Sequence, residues 1–305
     1  MKRRDFIQQV SATTALVTVG GFGLQSFSTV PKTAKITILH TNDVHSHIDA
    51  FGPEDGRNAN KGGVARRASL IESIRLENPN TLLLDAGDIF QGTPYFNYYG
   101  GELEFKLMSK LKYDAATIGN HDFDNGIDGL YAQLPHAEFQ FISSNYDFSN
   151  TIMDTHVKPY KIFKKGGIKI GVFGLGIELN GLVDPAMYKE TKYLNPVEIA
   201  QDMTHILKTE DKCDLIICLS HLGYHYKTDP NKISDLKLAS LTKDIDLIIG
   251  GHTHTFLQKP TIVKNRDGKN MLVNQVGCYG INLGRIDFYF DANKNKSANG
   301  TSIIV

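Results

Sequence analysis

The chain has 305 residues, 41% of them hydrophobic and 22% charged, and Lys plus Arg and Asp plus Glu both total 33. A sizeable core is available, and the even charge supplies neither the basic excess of a nucleic-acid binder nor an acidic solvating tail, so nucleic acid is not an expected partner. Three cysteines, Cys213, Cys218 and Cys278, are too few and too irregularly spaced for a disulfide framework or a Cys-rich zinc site and read as small buried apolar residues.

The amino terminus runs from Lys2-Arg3-Arg4-Asp5-Phe6-Ile7 into small and apolar residues without charge over 12–24. A paired-arginine head on such a stretch resembles a twin-arginine export signal. Residues 1–32 are therefore expected to be that signal, with the twin-arginine export machinery as a partner. The protein is expected to be periplasmic or extracellular, membrane-tethered if the signal is not cleaved. The apolar run is short for a membrane span.

A strand pattern over 35–41 ends in Asn42-Asp43-Val44-His45, and a polar loop over 53–63 leads into a helix over 64–77 that Asn78-Pro79 stops. A second strand over 81–85 ends in Ala86-Gly87-Asp88, a helix covers 102–111, and a third strand over 115–118 opens into Gly119-Asn120-His121-Asp122-Phe123-Asp124-Asn125-Gly126. Residues 139–143 read as a strand, and 160–163 with 168–175 as a hairpin around Lys164-Lys165-Gly166-Gly167. After an irregular stretch over 180–195, a helix over 196–208 starts on proline. A strand over 214–219 then ends at Ser220-His221, a helix spans 234–243, and a strand over 245–249 ends at Gly250-Gly251-His252. Strands over 261–263, 271–275 and 285–290 give an antiparallel finish, and the polar stretch 293–300 is expected to fray. Apolar strands alternating with helices argue for sheets covered on both faces, and the later hairpins argue that they are mixed. The fold class is an α/β sandwich.

Asp43, His45, Asp88, Asn120, His221, His252 and His254 all sit at the ends of these runs. Three oxygen donors and four imidazoles without a thiolate suit Zn, Mn, Fe or Co and are too nitrogen-rich for Mg or Ca. Seven ligands exceed the four of a closed structural zinc, so two divalent metal ions sharing a carboxylate are expected. In an extended segment, residues i and i+2 project to one side, so Asp43 and His45 can reach one metal together. His40 lies within a strand and reads as core. His47 and His225 flank ligand motifs, and the aromatic run Tyr95, Phe96, Tyr98, Tyr99 reads as packing.

The ordered motifs Thr41-Asn42-Asp43-Val44-His45, Gly87-Asp88-Ile89-Phe90-Gln91-Gly92-Thr93, Gly119 to Gly126, Ser220-His221-Leu222-Gly223 and Gly250-Gly251-His252-Thr253-His254 resemble those of calcineurin-like metallophosphoesterases, in particular the 5'-nucleotidase branch. Gln275-Val276-Gly277-Cys278-Tyr279-Gly280 is similar to that branch too. The resemblance implies a four-layer α-β-β-α sandwich of two mixed sheets flanked by helices, with a catalytic domain over 33–293 and a C-terminal tail over 294–305. It implies that Asp88 bridges two metals, that Asp43, His45 and His254 complete one site, and that Asn120, His221 and His252 complete the other. It further implies a metal-bridging hydroxide attacking phosphorus, with catalytic His121, oriented by Asp124, assisting the leaving group, and Asn120 and His121 contacting substrate. Asp122, where relatives often carry Glu, shapes the loop.

The implied substrate is a small phosphoester, a nucleotide foremost. Full nucleotidases continue into a second domain that stacks the base, whereas this sequence stops at Val305. One alternative is therefore a catalytic subunit needing a separately encoded nucleotide-specificity domain. Another is a non-catalytic metal-binding module.

Overall fold

The computed structural model describes residues 34–305; the export signal expected over 1–32 lies outside the described residues. In chain order the first half comprises β1 (Ala34–Thr41), α1 (Val64–Glu77), β2 (Thr81–Asp85), α2 (Pro94–Tyr99), α3 (Glu102–Lys110), β3 (Ala115–Ala116), α4 (Gly126–Gln133), β4 (Gln140–Phe141), β5 (Tyr146–Asp147), β6 (Tyr160–Lys165) and β7 (Ile168–Leu175). The second half comprises α5 (Pro185–Tyr188), β8 (Lys192–Tyr193), α6 (Pro196–His205), β9 (Leu215–Ser220), α7 (Asp235–Leu241), β10 (Leu247–Gly250), β11 (Thr261–Lys264), β12 (Asn270–Asn274), β13 (Asn282–Phe290) and β14 (Lys296–Ile304).

Two six-stranded sheets result, in the orders β14-β13-β1-β2-β3-β4 and β11-β12-β10-β9-β7-β6. The first is antiparallel across β14-β13-β1 and parallel from β1 to β4, and the second has a parallel centre and antiparallel margins, so both are mixed, as the sequence suggests. Alternation along the strands builds the layers. Ile36 and Ile38 of β1 and Leu82 and Leu84 of β2 meet Ile170, Val172, Leu215, Ile217, Leu247 and Ile249 of the other sheet in one buried cluster. Their out-of-phase neighbours Leu39 and Leu83 pack under α1 and α3, beside Ile71, Ile74 and Phe105. On the far side Ile216 and Cys218 of β9 pack with Leu238 and Ala239 of α7. The order is therefore helix, sheet, sheet, helix, and each fully buried Leu or Ile contributes roughly 1.5–3 kcal/mol.

Local signals set several boundaries. Helix α1 ends at Asn78, whose N–H still reaches Ile74 O and whose successor is proline. Asn195 caps α6 by accepting from the Val197 N–H at 2.9 Å, with Pro196 in the first turn, and the helix runs on into a π-turn over Ile206–Glu210. All three cysteines are buried and free, as read from their spacing. Of the aromatic run before α3, Phe96 is buried, whereas Tyr98 stands 81% exposed, so the packing expectation holds for Phe96 and fails for Tyr98.

The expected frayed tail needs correction. Residues 296–304 form β14, paired antiparallel with β13 from Phe290↔Lys296 to Asn282↔Ile304. Val305 N–H then donates to Ile281 O, and Val305 O accepts from Gly62 N–H. The strand is polar because it is a sheet edge whose first residues face water, and edge strands carry Lys, Ser and Asn for that reason. No described helix is long and apolar enough to cross a membrane.

His40 tests how tightly the two sheets meet. It is fully buried, and its Nε2 accepts from Asn274 Nδ2 of the opposite sheet at 2.8 Å. A side chain on Gly284 would collide with the ring, its Cβ standing 2.1 Å from Nε2. Burial lowers the His40 pKa from 6.5 to about 3, so the folded protein keeps the ring neutral. The stability this contributes is complete above the unfolded value and is lost as pH falls toward the folded one, at roughly 1.4 kcal/mol per pH unit. Denaturant unfolding between those two pH values should show a steeper fall for the wild type than for His40→Gln, by about that slope.

Candidate metal centre

The parallel strands of both sheets deliver their carboxyl ends to one edge of the sandwich. Asp43 follows β1, Asp88 follows β2, Asn120 follows β3, His221 follows β9, and His252 and His254 follow β10. Such an edge is where open α/β sheets gather ligand-binding side chains. The donors form two triads, Asp43 with His45 and His254, and Asp88 with His221 and His252, the donor atoms within each lying within 4.8 Å of one another. Asn120 joins the second triad, its Oδ1 2.8 Å from His252 Nδ1. Asp88 touches both, with Oδ2 3.0 Å from His221 Nε2 and 3.8 Å from His45 Nε2.

The backbone that achieves this is not extended. Asp43, His45, Asp88, His252 and His254 have φ of 50°, 49°, 56°, 71° and 50°. The simple alternation expected to bring Asp43 and His45 together is therefore wrong in its geometry. Each residue sits in the left-handed region, which costs a non-glycine residue on the order of 1–3 kcal/mol and clusters at functional sites. Hydrogen bonds between the loops hold the conformation. Asp43 N–H donates to Gly87 O at 2.9 Å, His45 N–H to Asp88 O at 3.0 Å, and Tyr279 N–H to Asp43 O at 2.7 Å. The His252 N–H donates to Asp43 Oδ1 at 2.8 Å.

The donor set fits divalent ions. Two ligand atoms about 2.1 Å from one ion lie roughly 3.0–3.4 Å apart at octahedral or tetrahedral angles. Within the triads, His45 Nε2 is 3.0 Å from His254 Nε2, His254 Nε2 is 3.4 Å from Asp43 Oδ1, and His221 Nε2 is 3.0 Å from Asp88 Oδ2. The His221 Nδ1–H donates to Ala86 O at 2.7 Å, and the His45 Nδ1–H to Phe90 O at 3.1 Å. Both rings thereby turn an Nε2 lone pair inward, the tautomer a metal ligand needs. His221 Nε2 is buried and, despite the nearness of Asp88, has no hydrogen-bond partner among the described residues.

Electrostatics tie the second triad together. Burial disfavours charge on His221, yet Asp88 beside it raises its pKa to about 10. Burial likewise works against ionised Asp88, but His221 and then His45 hold its carboxyl well below the usual carboxylate range. Burial and the neighbouring His221 lower His252 to about 4. A cation held between Asp88 and His221 would take the place of a proton on His221 Nε2.

At the rim, His121 Nδ1 lies 2.8 Å from Asp124 Oδ2, and that bond above all raises the imidazole pKa. These side chains are 39% and 30% exposed, whereas those of Asp43, Asp88 and His221 are at most 1% exposed. The His121 ring stands edge-on to His45, centroids 5.3 Å apart. His47 Nδ1–H donates to His45 O at 3.0 Å, and its ring lies 4.2 Å from that of Tyr279.

Three supporting residues carry more than their motifs suggest. Asp122 accepts from the N–H groups of Asp88, Ile89, Phe90 and Gly119 at 2.8–3.1 Å, so it ties the Asp88 loop to the Asn120 loop as well as shaping its own. Asn42 donates to Asp43 Oδ2 and Gly277 O at 2.6 Å each and accepts from Val276 N–H at 3.0 Å. Gln275 donates to Gly251 O and accepts from the Thr253 hydroxyl and Thr255 N–H, bracing the loop that carries His252 and His254. No sequence period announces these roles, because most of the partners come from other loops.

The profile of the calcineurin-like phosphoesterase family matches residues 36–256. The chain is similar to the snake venom 5'-nucleotidase of Crotalus adamanteus, at 36% identity over 282 residues that cover 86% of this chain and 46% of the relative. Its structure is similar to that of a 5'-nucleotidase precursor from Thermus thermophilus, with a TM-score of 0.79 and 34% identity over 89% of this chain and 55% of the other. For the NAD nucleotidase of Haemophilus influenzae the TM-score is 0.78 and the identity 27%, over 90% and 56% of the two chains. The chain thus spans about half the length of these relatives.

Replacing Asp122 tests the brace directly. Asp122→Asn leaves one acceptor oxygen where two serve four donors, and should lower stability by about 1–3 kcal/mol. It should also weaken metal affinity by roughly 10–100-fold. Thermal unfolding and metal titration read the two effects separately.

Proposed function

Because the chain belongs to the calcineurin-like phosphoesterase family, we propose that it is a dimetal-dependent hydrolase of phosphate monoesters, with nucleoside monophosphates as the first substrates to try. The observation that carries this reading is the placement of Asp88, one carboxylate oxygen facing histidines of both triads. A single structural ion needs no such shared group. In this reading Asp43, His45 and His254 hold one ion, Asn120, His221 and His252 hold the other, and Asp88 joins them. The donor set suits Zn, Mn, Fe or Co. When bound, such a pair supplies Lewis-acid pull on phosphoryl oxygens and a nucleophile from water near neutral pH.

The chain's own groups do the rest. The bond from His121 Nδ1–H to Asp124 leaves Nε2 as the free end of the ring at the rim of the site, and the carboxylate favours the protonated imidazole. That end donates its proton to the departing oxygen, and Asp124 keeps the ring from turning away. The His121 N–H also donates to Asp88 Oδ1 at 2.8 Å, which fixes the imidazole's position relative to the shared carboxylate. Nucleotides are favoured as substrates because the relatives named above are nucleotidases.

Protein with its metals counted should hydrolyse members of a panel of nucleoside monophosphates, cyclic nucleotides and an aryl phosphate. Absence of turnover on every phosphoester with two ions bound would return the chain to a non-catalytic binding module. His121→Ala should retain both metals and lose roughly 10²–10⁴ in kcat; unchanged turnover would remove His121 from the mechanism.

We also infer export of the folded protein from Lys2-Arg3-Arg4-Asp5-Phe6-Ile7. Changing Arg3 and Arg4 together to Lys should leave the enzyme in the cytoplasmic fraction, and undiminished export would overturn the signal.

A further inference from the structure

The two triads and their rim supply carboxylates and imidazoles but no permanent cation. Beside them lies the loop between β9 and α7, which carries Tyr226 and Lys232. The Tyr226 O–H donates to Leu222 O at 2.8 Å, which anchors the ring directly after the His221 strand. That ring lies 6.4 Å from the His252 ring, and the Lys232 ammonium rests over it at 4.3 Å from the centroid. Gly223 permits the approach, since a Cβ there would stand 2.5 Å from the Tyr226 hydroxyl.

Lys232 meets a ring rather than a carboxylate. Lys294 and Lys296 end on Asp214 and Asp246. Among the described residues the Lys232 ammonium lies against an aromatic face, with no carboxylate in ion-pair range. A cation–π contact holds an ammonium in place without neutralising it, so the charge stays available to an anion. Its backbone is fixed too, the Lys232 N–H donating to Asp229 O and Oδ1 at 3.2 Å each. The Lys237 ammonium clasps the same loop through Pro230 O and Asn231 O.

We propose that Lys232, carried on the Tyr226 ring, is a substrate-binding residue that receives the phosphoryl group of the ester, and the inorganic phosphate left after hydrolysis, on the His252 side of the centre. This rests on the hydrolase reading above. Lys232 supplies there the fixed positive charge that a dianionic phosphate needs in addition to its metals, and it contacts the part common to all phosphomonoesters rather than the leaving group.

Calorimetry of inorganic phosphate binding to the metal-loaded full chain tests this without turnover. Lys232→Met should weaken phosphate binding about tenfold, the worth of one charge-assisted hydrogen bond, with metal content and melting temperature unchanged, and Lys232→Arg should recover most of it. In assays, KM should rise by a similar factor for aryl phosphate and nucleoside monophosphates alike. Unaltered phosphate affinity in Lys232→Met overturns the proposal, and so does a KM effect confined to nucleotides, which would put Lys232 on the leaving group. If wild type binds phosphate in a Lys232-dependent way yet hydrolyses nothing, the hydrolase reading fails and the anion site stands.

Discussion

One buried carboxylate at the seam of two sheets sets the terms for the whole site. Asp88 is 1% exposed, and a carboxylate so placed must be met by positive charge or hydrogen-bond donors on every side. One oxygen accepts from the His121 N–H, and the other faces His221 and His45. Its own N–H goes to Asp122, and its own carbonyl accepts from His45 N–H. Three other loops, from both sheets, are thus positioned around Asp88. Gly119 lacks a side chain for the same reason, since a Cβ there would lie 2.2 Å from Asp88 Oδ1.

The left-handed backbone at five of the donor residues follows from this demand. Donors that must converge from strand ends onto one point cannot continue the pleat, which throws successive side chains to opposite faces. Turning each loop back costs local energy that the inter-loop hydrogen bonds, at about 1 kcal/mol each, only partly offset. Ions bound by these donors would stabilise the same backbone, so the stability of these loops and the affinity of the site would be coupled. Asp122, Asn42 and Gln275 matter because they reduce the reorganisation that the ions must drive.

The site is graded from floor to rim. Asp43, Asp88 and His221 lie sealed against the inner core of the two sheets, where low polarity strengthens every electrostatic contact. His121 and Asp124 stand partly in solvent, within reach of water. Packing thereby separates the buried donor triads from the rim pair. The rigidity of the floor comes from the Ile and Leu ladders of the inner layer, which the ligand loops merely cap.

How much of this was legible in the sequence depended on whether the signal was local. Period-two apolar runs ending in Asp, Asn or His placed the strands, the α/β sandwich and seven candidate donors, because a strand and its last residues are written in adjacent letters. The division of donors into triads was given only as an implication of family likeness. Its geometry required the tertiary structure, since His254 meets Asp43, far away along the chain, only when two sheets stack. The same holds for the fourfold grip of Asp122, for the ordering of β14, whose polar letters look like a tail until β13 lies beside them, and for Lys232, whose nearness to His252 depends on how a loop folds over Tyr226. The sequence by itself determined which chemistry was on offer at the strand ends. Only the folded chain decided which groups share a ligand, because hydrogen bonds and charge act over ångströms in space whatever their separation along the chain.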